Sequence, residues 1–420
     1  MDNILKSRWF TPAFLLVMAA SVVVVYSGTF SAGFHFDDIP LIVENTALRA
    51  PENFFGLLMG QRGVTMATFA LNYAAGGLDV TGYHIVNTAI HIINASLAYL
   101  LLTATLAKSG FNVERSRKIA AVAALFFALH PIQTQSVTYI VQRMESLSAL
   151  FYLAALLAFV KAAGLNAKPR RIALYGSVVV FYILGFYSKE VAVTLPAVIF
   201  LYDLFFISSL RLKALAPRWP LYLALVVLLV YFIVSTVVPA GGFGDLSEEI
   251  ARSSSPISAG FGVAGISAYE YLLTEFNVII YYIALLFVPV NQNLDYDFPI
   301  SSGLFQTPVV RDGAVLNIPI PMPAVSLVII LMIIGSGFWL LLRSRPSRTG
   351  GDGQSGGGRA RVAAFFIFWF FILLSPTSSF IPILDVIFEH RLYLASLGFF
   401  TLVALFIDMV FSWGGEDVSG

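Results

Sequence analysis

The chain has 420 residues, of which 58% are hydrophobic and 12% charged, and its net charge is +1. Soluble globular domains contain about half apolar and about a quarter charged residues, so this composition excludes them, and its charge balance favours no nucleic-acid partner. The absence of cysteine excludes disulfides, thiol catalysis and cysteine metal sites. Because its long Leu, Val, Ile and Phe runs are typical of helices, we predict an all-α polytopic membrane protein.

Ten apolar runs predict transmembrane helices. They lie at about 9–28, 83–107, 118–133, 146–163, 172–188, 190–208, 219–238, 324–342, 361–376 and 392–411. A further run at 271–289 either crosses or lies as a re-entrant or interfacial helix. With the N-terminus in the cytoplasm and this run not crossing, 18 of the 25 Lys and Arg are cytoplasmic, as the positive-inside rule requires. We therefore predict ten crossings with both termini cytoplasmic, and the eleven-crossing form stays open.

The connections divide this single transmembrane domain, 1–420, into distinct regions. The first outer loop, 29–82, contains the acid pair Asp37 and Asp38 and then "PENFFGLLMGQRG", which predicts a short helix in the membrane surface. The long outer loop at 239–323 includes the uncertain run. The Gly-rich and Ser-rich loop at 343–361 predicts a flexible cytoplasmic linker.

Several cations stand at the predicted outer ends of spans beside acids, which is uncommon on the translocated side. They are Arg143 near Glu145, Lys189 next to Glu190, and the run Glu389, His390 and Arg391. Simpler interpretations exist for each: a helix N-cap for Asp37 and Asp38, ion pairs Lys189–Glu190 and Arg143–Glu145, and a helix end for His130. His84 and His91 are expected to be packing or interfacial residues.

Four motifs resemble a known family when taken together and in order. They are "HPIQTQSVTYIVQRMESLSALFYLAALL", "SKEVAVTLPAVIFLYDL", "NLDYDFPIS" and "EHRLYLASLGF". Over roughly 30–405 the chain resembles the membrane half of the transmembrane and tetratricopeptide-repeat (TMTC) protein O-mannosyltransferases, which are GT-C glycosyltransferases. The family usually has an acid where this chain has Gln135, and it usually continues into tetratricopeptide repeats where this sequence stops at Gly420.

The resemblance implies a GT-C fold of about 10–11 transmembrane helices and an inverting glycosyltransferase. The donor would be a polyprenyl-phosphate-linked sugar, and the acceptor a Ser or Thr hydroxyl of an outer-face protein. By similarity Asp37 is the expected base, since the acceptor hydroxyl must lose a proton, and Asp38 would tune its pKa or bind the sugar. The expected donor-phosphate and substrate-binding residues are Arg143, Lys189, Glu190, Glu389, His390 and Arg391, with His130, Gln135 and Glu145 as further candidates. Gln135 disfavours a divalent metal, and no other cofactor is expected.

Two other functions fit parts of the sequence. A lipid or sugar transporter, or a flippase, would use the same charges as a path, although transporters tend to show internal repeats and midplane charges that are not found here. A catalytically silent membrane scaffold would explain Gln135. The enzyme interpretation predicts a site facing the periplasm of a bacterial inner membrane. The expected partners are the lipid donor, the bilayer, an acceptor protein and a separate acceptor-binding protein in place of the repeats.

Overall fold

A computed structural model describes residues 5–237, 265–310, 316, 318–344 and 354–416 of the chain. These residues form helices joined by turns and loops. In chain order the helices are α1 (Phe10–Tyr26), α2 (Phe54–Met59), α3 (Gly63–Gly76), α4 (Val80–Lys108), α5 (Val113–Leu129), α6 (Thr134–Thr138), α7 (Arg143–Ala163), α8 (Lys168–Phe186), α9 (Leu195–Tyr202), α10 (Trp219–Val237), α11 (Ala268–Phe287), α12 (Pro323–Arg343), α13 (Gln354–Leu374) and α14 (Ser396–Glu416).

In the described part of the chain, nine helical segments are long and apolar enough to cross a membrane. Helix α5 and the following segment Pro131–Thr138 form a tenth candidate that is bent by 52°, and Ser396–Phe411 is a shorter apolar helix. The prediction of an all-α polytopic membrane protein is confirmed. The bend has a local cause, because Pro131 disfavours a helical conformation at the residue before it, and His130 is accordingly extended.

The ends of the bundle differ in their polar contacts. At one end Asp408 of α14 accepts hydrogen bonds from Arg115 of α5 and Arg359 of α13, both at 2.9 Å. The other end, which we call the site end, contains the turns Pro131–Gln142, Lys189–Thr194 and Glu389–Leu392. Two separated basic residues therefore share one buried acid at the end opposite the candidate site.

Helix α11 lies along the site end. The Tyr271 hydroxyl donates to the carbonyl of Thr377 at 2.6 Å, the Tyr282 hydroxyl donates to the carbonyl of Phe388 at 2.8 Å, and Phe287 packs edge-on against Phe399. All three contacts fall between the end of α13 and the second turn of α14, so both ends of α11 meet the same end of the bundle. This placement favours the interfacial alternative for 271–289, and the number of crossings stays a prediction.

Close packing of α13 against α14 fixes the turn that carries His390 and Arg391. A Cβ on Gly398 would lie 2.7 Å from the carbonyl oxygen of Phe366, so only glycine permits this approach. The Trp369 indole N–H donates to the carbonyl of Leu394 at 2.9 Å. The turn is therefore held between two rigid helices.

The first loop docks on the site end through its own apolar cluster. Ile42, Leu48 and Phe69 pack with Tyr83 of α4 and with Met144 at the start of α7. Helix α2 leaves Phe55 and Met59 about three-quarters exposed, at 76% and 77%, the pattern expected of a helix in a membrane surface. The loop therefore combines a buried face against the bundle with an exposed apolar edge.

Candidate active site

The two acids of the first loop have different environments. Asp38 is buried, and its carboxylate accepts the backbone N–H of Val141 at 2.7 Å and that of His35 at 3.0 Å. Burial raises the pKa of Asp38 to about 6. Its side chain does not cap the helical turn that follows, so the N-cap alternative is wrong for Asp38. Asp38 therefore anchors the loop to the start of α7. Its carboxylate contacts backbone N–H groups, in contrast to the predicted contact with the sugar.

Asp37, in contrast, is exposed. Its backbone N–H donates to the hydroxyl of Tyr139 at 2.9 Å. Burial, and then the negative charges of Asp37 and Asp38, raise the pKa of Tyr139, so this side chain stays a neutral hydroxyl. Phe36 precedes the pair with φ of 44°, an uncommon left-handed conformation for a non-glycine residue. Of the acid pair, only Asp37 is accessible to a substrate.

Lys189 and Glu190 each pair with a residue distant in sequence. The Lys189 ammonium lies 2.7 Å from a Glu145 carboxylate oxygen and donates to the side-chain oxygen of Gln142 at 3.2 Å. Burial lowers the pKa of Lys189, although the charge of Glu145 opposes this effect. Glu190 accepts two hydrogen bonds from the Arg62 guanidinium, from Nε and Nη2, both at 3.0 Å. The predicted Lys189–Glu190 ion pair is therefore wrong.

Arg143 is a buried residue that holds helices together. Its side chain is fully buried, and its guanidinium donates to Asn87 Oδ1 at 2.6 Å, to the carbonyl of Tyr83 at 3.1 Å and to Thr68 at 3.3 Å. It does not pair with Glu145. Since 0% of the residue is exposed, a donor phosphate has no access to it. Arg143 links α3 and α4 to α7, in contrast to its predicted role.

Glu389 is likewise engaged by the protein. Its carboxylate accepts the backbone N–H of Asn293 at 3.0 Å, the side-chain amide of Gln292 at 2.5 Å and the hydroxyl of Tyr296. Burial raises the pKa of Glu389. The residue fixes the "NLDYDFPIS" segment to the site end, so its carboxylate does not face a donor phosphate as predicted.

Gln135 and His390 are directly bonded. The Gln135 side-chain oxygen accepts the His390 backbone N–H at 2.6 Å and lies 2.9 Å from its Nδ1. Its amide nitrogen donates to the carbonyl of Leu294 at 3.3 Å. His130 accepts the backbone N–H of Ile132 through Nδ1 at 3.1 Å, which agrees with the helix-end alternative for this histidine.

Arg391 hydrogen-bonds to backbone carbonyls and lies near the acid Glu275. Its guanidinium donates to the carbonyls of Val386 at 2.8 Å and Asp385 at 2.6 Å. Burial lowers the pKa of Arg391, but the neighbouring Tyr282 and Glu275 outweigh this effect and raise it. Only 8% of Arg391 is exposed, so its guanidinium lies in a largely buried charge network.

Four of the predicted site residues, Asp37, Lys189, His390 and Arg391, lie close enough for charges at this end to act on one another. After burial, the charges of Lys189, Arg391 and Arg62 lower the pKa of His390 well below its ordinary value. Burial and the charges of Asp295 and Asp37 raise the pKa of Asp385, while Arg391 lowers it. The site end therefore combines three cations and a histidine with the exposed acid Asp37.

A divalent metal does not fit the described donor set. In the described ranges, no group of three or more His, Asp or Glu side chains is placed to hold a metal ion. Asp38 uses its carboxylate on two backbone N–H groups, and Gln135 uses its oxygen on His390. Two of the three candidate ligands from the first two loops are thus committed to the protein, and Asp37 alone remains exposed.

Sequence reasoning missed Arg62, Gln142 and Tyr139. Arg62 had one signal, because it is a basic residue in a predicted outer loop. Its acid partner Glu190 lies 128 residues away, so no local pattern identified the pair.

No family model matches the chain, and no solved structure matches it. Protein O-mannosyl-transferase Tmtc3 of Drosophila melanogaster is 32% identical over 47% of this chain and 24% of that relative. Protein O-mannosyl-transferase TMTC2 of Mus musculus is 30% identical over 48% of this chain and 25% of that relative, and TMTC4 of Homo sapiens is 29% identical over 39% and 25%. The chain resembles the TMTC family. The resemblance predicted from four motifs is confirmed, and this chain spans about a quarter of the length of its TMTC relatives.

Proposed function

We propose that the chain is a membrane glycosyltransferase that moves a sugar from a polyprenyl-phosphate donor to a Ser or Thr hydroxyl of a protein. The observation that carries the proposal is the combination of one exposed acid, Asp37, with Lys189, His390 and Arg391 at one end of an apolar bundle. The relatives are named protein O-mannosyl-transferases, which supports mannose as the sugar.

The chemistry assigns complementary roles to these groups. The acceptor oxygen attacks the sugar C1 while its proton passes to the carboxylate of Asp37. The bond between C1 and the phosphate oxygen breaks, and the electron pair goes to the phosphate. Arg391 and Lys189 stabilise this negative charge, a contribution that is large where water is excluded. A single displacement inverts the configuration at C1.

The proposed site contains no metal step. Asp37 is the remaining exposed acid of the pair, and a single carboxylate is a poor set of ligands for a hard divalent ion. We expect turnover to survive EDTA.

The distribution of basic residues supports a site on the outer face. Arg115 and Arg359 are predicted cytoplasmic residues and lie at the end of the bundle opposite the site end, so the positive-inside rule supports a periplasmic site in a bacterial inner membrane.

The test compares two exposed acids of the same loop. Asp37→Asn should abolish transfer from polyprenyl-phosphate mannose to a Ser/Thr peptide, because an amide cannot take the proton, while donor binding and melting temperature persist. Asp79→Asn is the control: Asp79 caps α4 by accepting the Thr81 N–H at 3.0 Å, and asparagine caps equally well. Retained turnover in Asp37→Asn contradicts the base role. No turnover in the wild-type protein with any lipid-linked sugar supports the scaffold alternative.

A further inference from the structure

The bonds between Gln135 and His390 determine which imidazole nitrogen is open. The Gln135 atom that meets the His390 backbone N–H must be its oxygen, since only an acceptor can pair with that donor. The same oxygen lies 2.9 Å from Nδ1, so Nδ1 must carry a hydrogen and donate. In the neutral ring, Nε2 is then the unprotonated nitrogen.

The ring is also fixed in orientation. It stacks on Phe388 with centroids 4.9 Å apart, and Ser136 donates to the His390 carbonyl at 3.5 Å. No described residue hydrogen-bonds Nε2, whereas Nδ1 and both backbone groups have partners. A rigid imidazole thus presents one acceptor nitrogen.

The surroundings of the ring are cationic, and their counter-charges are engaged elsewhere. Arg62, Lys189 and Arg391 all act on it from three different segments. The acids of the same region face those cations, backbone groups or the surface. They are Asp37, Glu145, Glu190, Glu275, Asp385 and Glu389. Without a ligand, a fourth positive charge at His390 is unfavourable. An anion placed among the cations removes this penalty.

We propose that Gln135 is a positioning residue that fixes His390 with Nε2 toward the donor phosphate, and that Nε2 takes up one proton from solvent when the phosphate binds. The new Nε2–H then donates to a phosphate oxygen. This inference rests on the proposed function and adds that donor binding is linked to proton uptake. Affinity for the donor increases as pH falls.

The experiment measures donor binding by calorimetry on the purified full chain in detergent at pH 6, 7 and 8. The probe is a short isoprenyl phosphodiester of mannose, which keeps a single negative charge over this range, so any proton taken up belongs to the protein. Repeating each titration in buffers of different ionisation enthalpy counts the protons. Wild-type affinity should rise by up to about tenfold per pH unit on going from 8 to 6, the limit for uptake of one proton.

Two variants separate this role from a structural one. In His390→Asn the side-chain amide still donates to Gln135, so the fold and weak binding at pH 8 persist, but the dependence on pH is lost. In Gln135→Glu a carboxylate accepts the same two bonds and keeps the imidazole charged without ligand, so affinity is independent of pH and exceeds wild type at pH 8.

Each contrary outcome has a distinct meaning. Equal pH dependence in wild type and His390→Asn overturns the inference and leaves the proposed function intact. Binding by Gln135→Glu that is weaker than wild type at pH 8 overturns the positioning role of Gln135. Absence of binding at every pH overturns the proposed donor, and the inference fails with it.

Discussion

Removing the Glu389 side chain should destabilise the site end, whereas replacing it by glutamine should not. Glu389→Ala leaves the Tyr296 hydroxyl and the Asn293 N–H without their carboxylate acceptor, while the Gln292 amide keeps its hydrogen bond to the Pro131 carbonyl. Two hydrogen bonds to a charged group contribute about 3–6 kcal/mol. The buried carboxylate itself is costly, as its raised pKa indicates, so we expect a net loss of about 2–4 kcal/mol in the free energy of unfolding.

Glu389→Gln retains one oxygen for Asn293 and Tyr296, and the Gln292 amide can rotate to present its own oxygen to the new NH₂. Its stability should lie within about 1 kcal/mol of wild type. The assay is thermal unfolding in detergent followed by intrinsic fluorescence, with limited proteolysis of 288–310 as a local probe. Asp295→Ala, an exposed acid of the same segment, is the control. If Glu389→Gln loses turnover at unchanged melting temperature, the carboxylate acts on substrate and the anchoring role is refuted.

Three other predictions test neighbouring features. Arg391→Ala should lower turnover at least about tenfold, as expected from losing a hydrogen bond to a charged group, which contributes about 1.5–3 kcal/mol. Arg391→Lys should recover only part of this turnover, because one point charge replaces a two-pronged contact. The control is Arg49→Ala, at an exposed position, which should be near neutral in the same initial-rate assay. The pKa of Asp38 is raised to about 6 in the fold, so its favourable contribution is complete below about pH 4 and is lost as pH rises through 6. Melting temperature should therefore fall between about pH 4 and 6 more steeply in wild type than in Asp38→Asn. Parallel curves would exclude this origin. The chain has no native cysteine, so single introduced cysteines report its topology. Ser302→Cys and Ser31→Cys should react with an impermeant thiol reagent added to the outer face, and Asn166→Cys should not. If Ser31→Cys reacts and Ser302→Cys does not, α11 crosses the membrane.

The apolar runs were sufficient to predict the helices, because burial in lipid requires long uninterrupted stretches, and the predicted 190–208 is observed at Glu190–Ile207. Partners of the charged residues were not predictable from adjacency. Lys189 has an extended backbone, with φ of −159° and ψ of 146°, so its side chain and that of Glu190 point to opposite sides. Arg143 and Glu145 are two positions apart at the start of α7, and such positions do not face each other on a helix.

The acid pair shows the same limit. Composition and motif resemblance identified Asp37 and Asp38 together, but only the fold distinguishes the exposed acid from the buried one. That distinction depends on the Val141 N–H, which lies 103 residues from Asp38. Long-range backbone donors leave no trace in a local sequence pattern.

The burial of Arg143 couples two steps of assembly. Its charge must leave water when α7 packs, yet the acceptors for its guanidinium belong to Thr68 on α3 and to Tyr83 and Asn87 on α4. Lipid offers no such acceptors. The first loop supplies Thr68, so docking of this loop and packing of α7 are coupled. That coupling also brings Asp37 to the end of the bundle that carries Lys189 and Arg391.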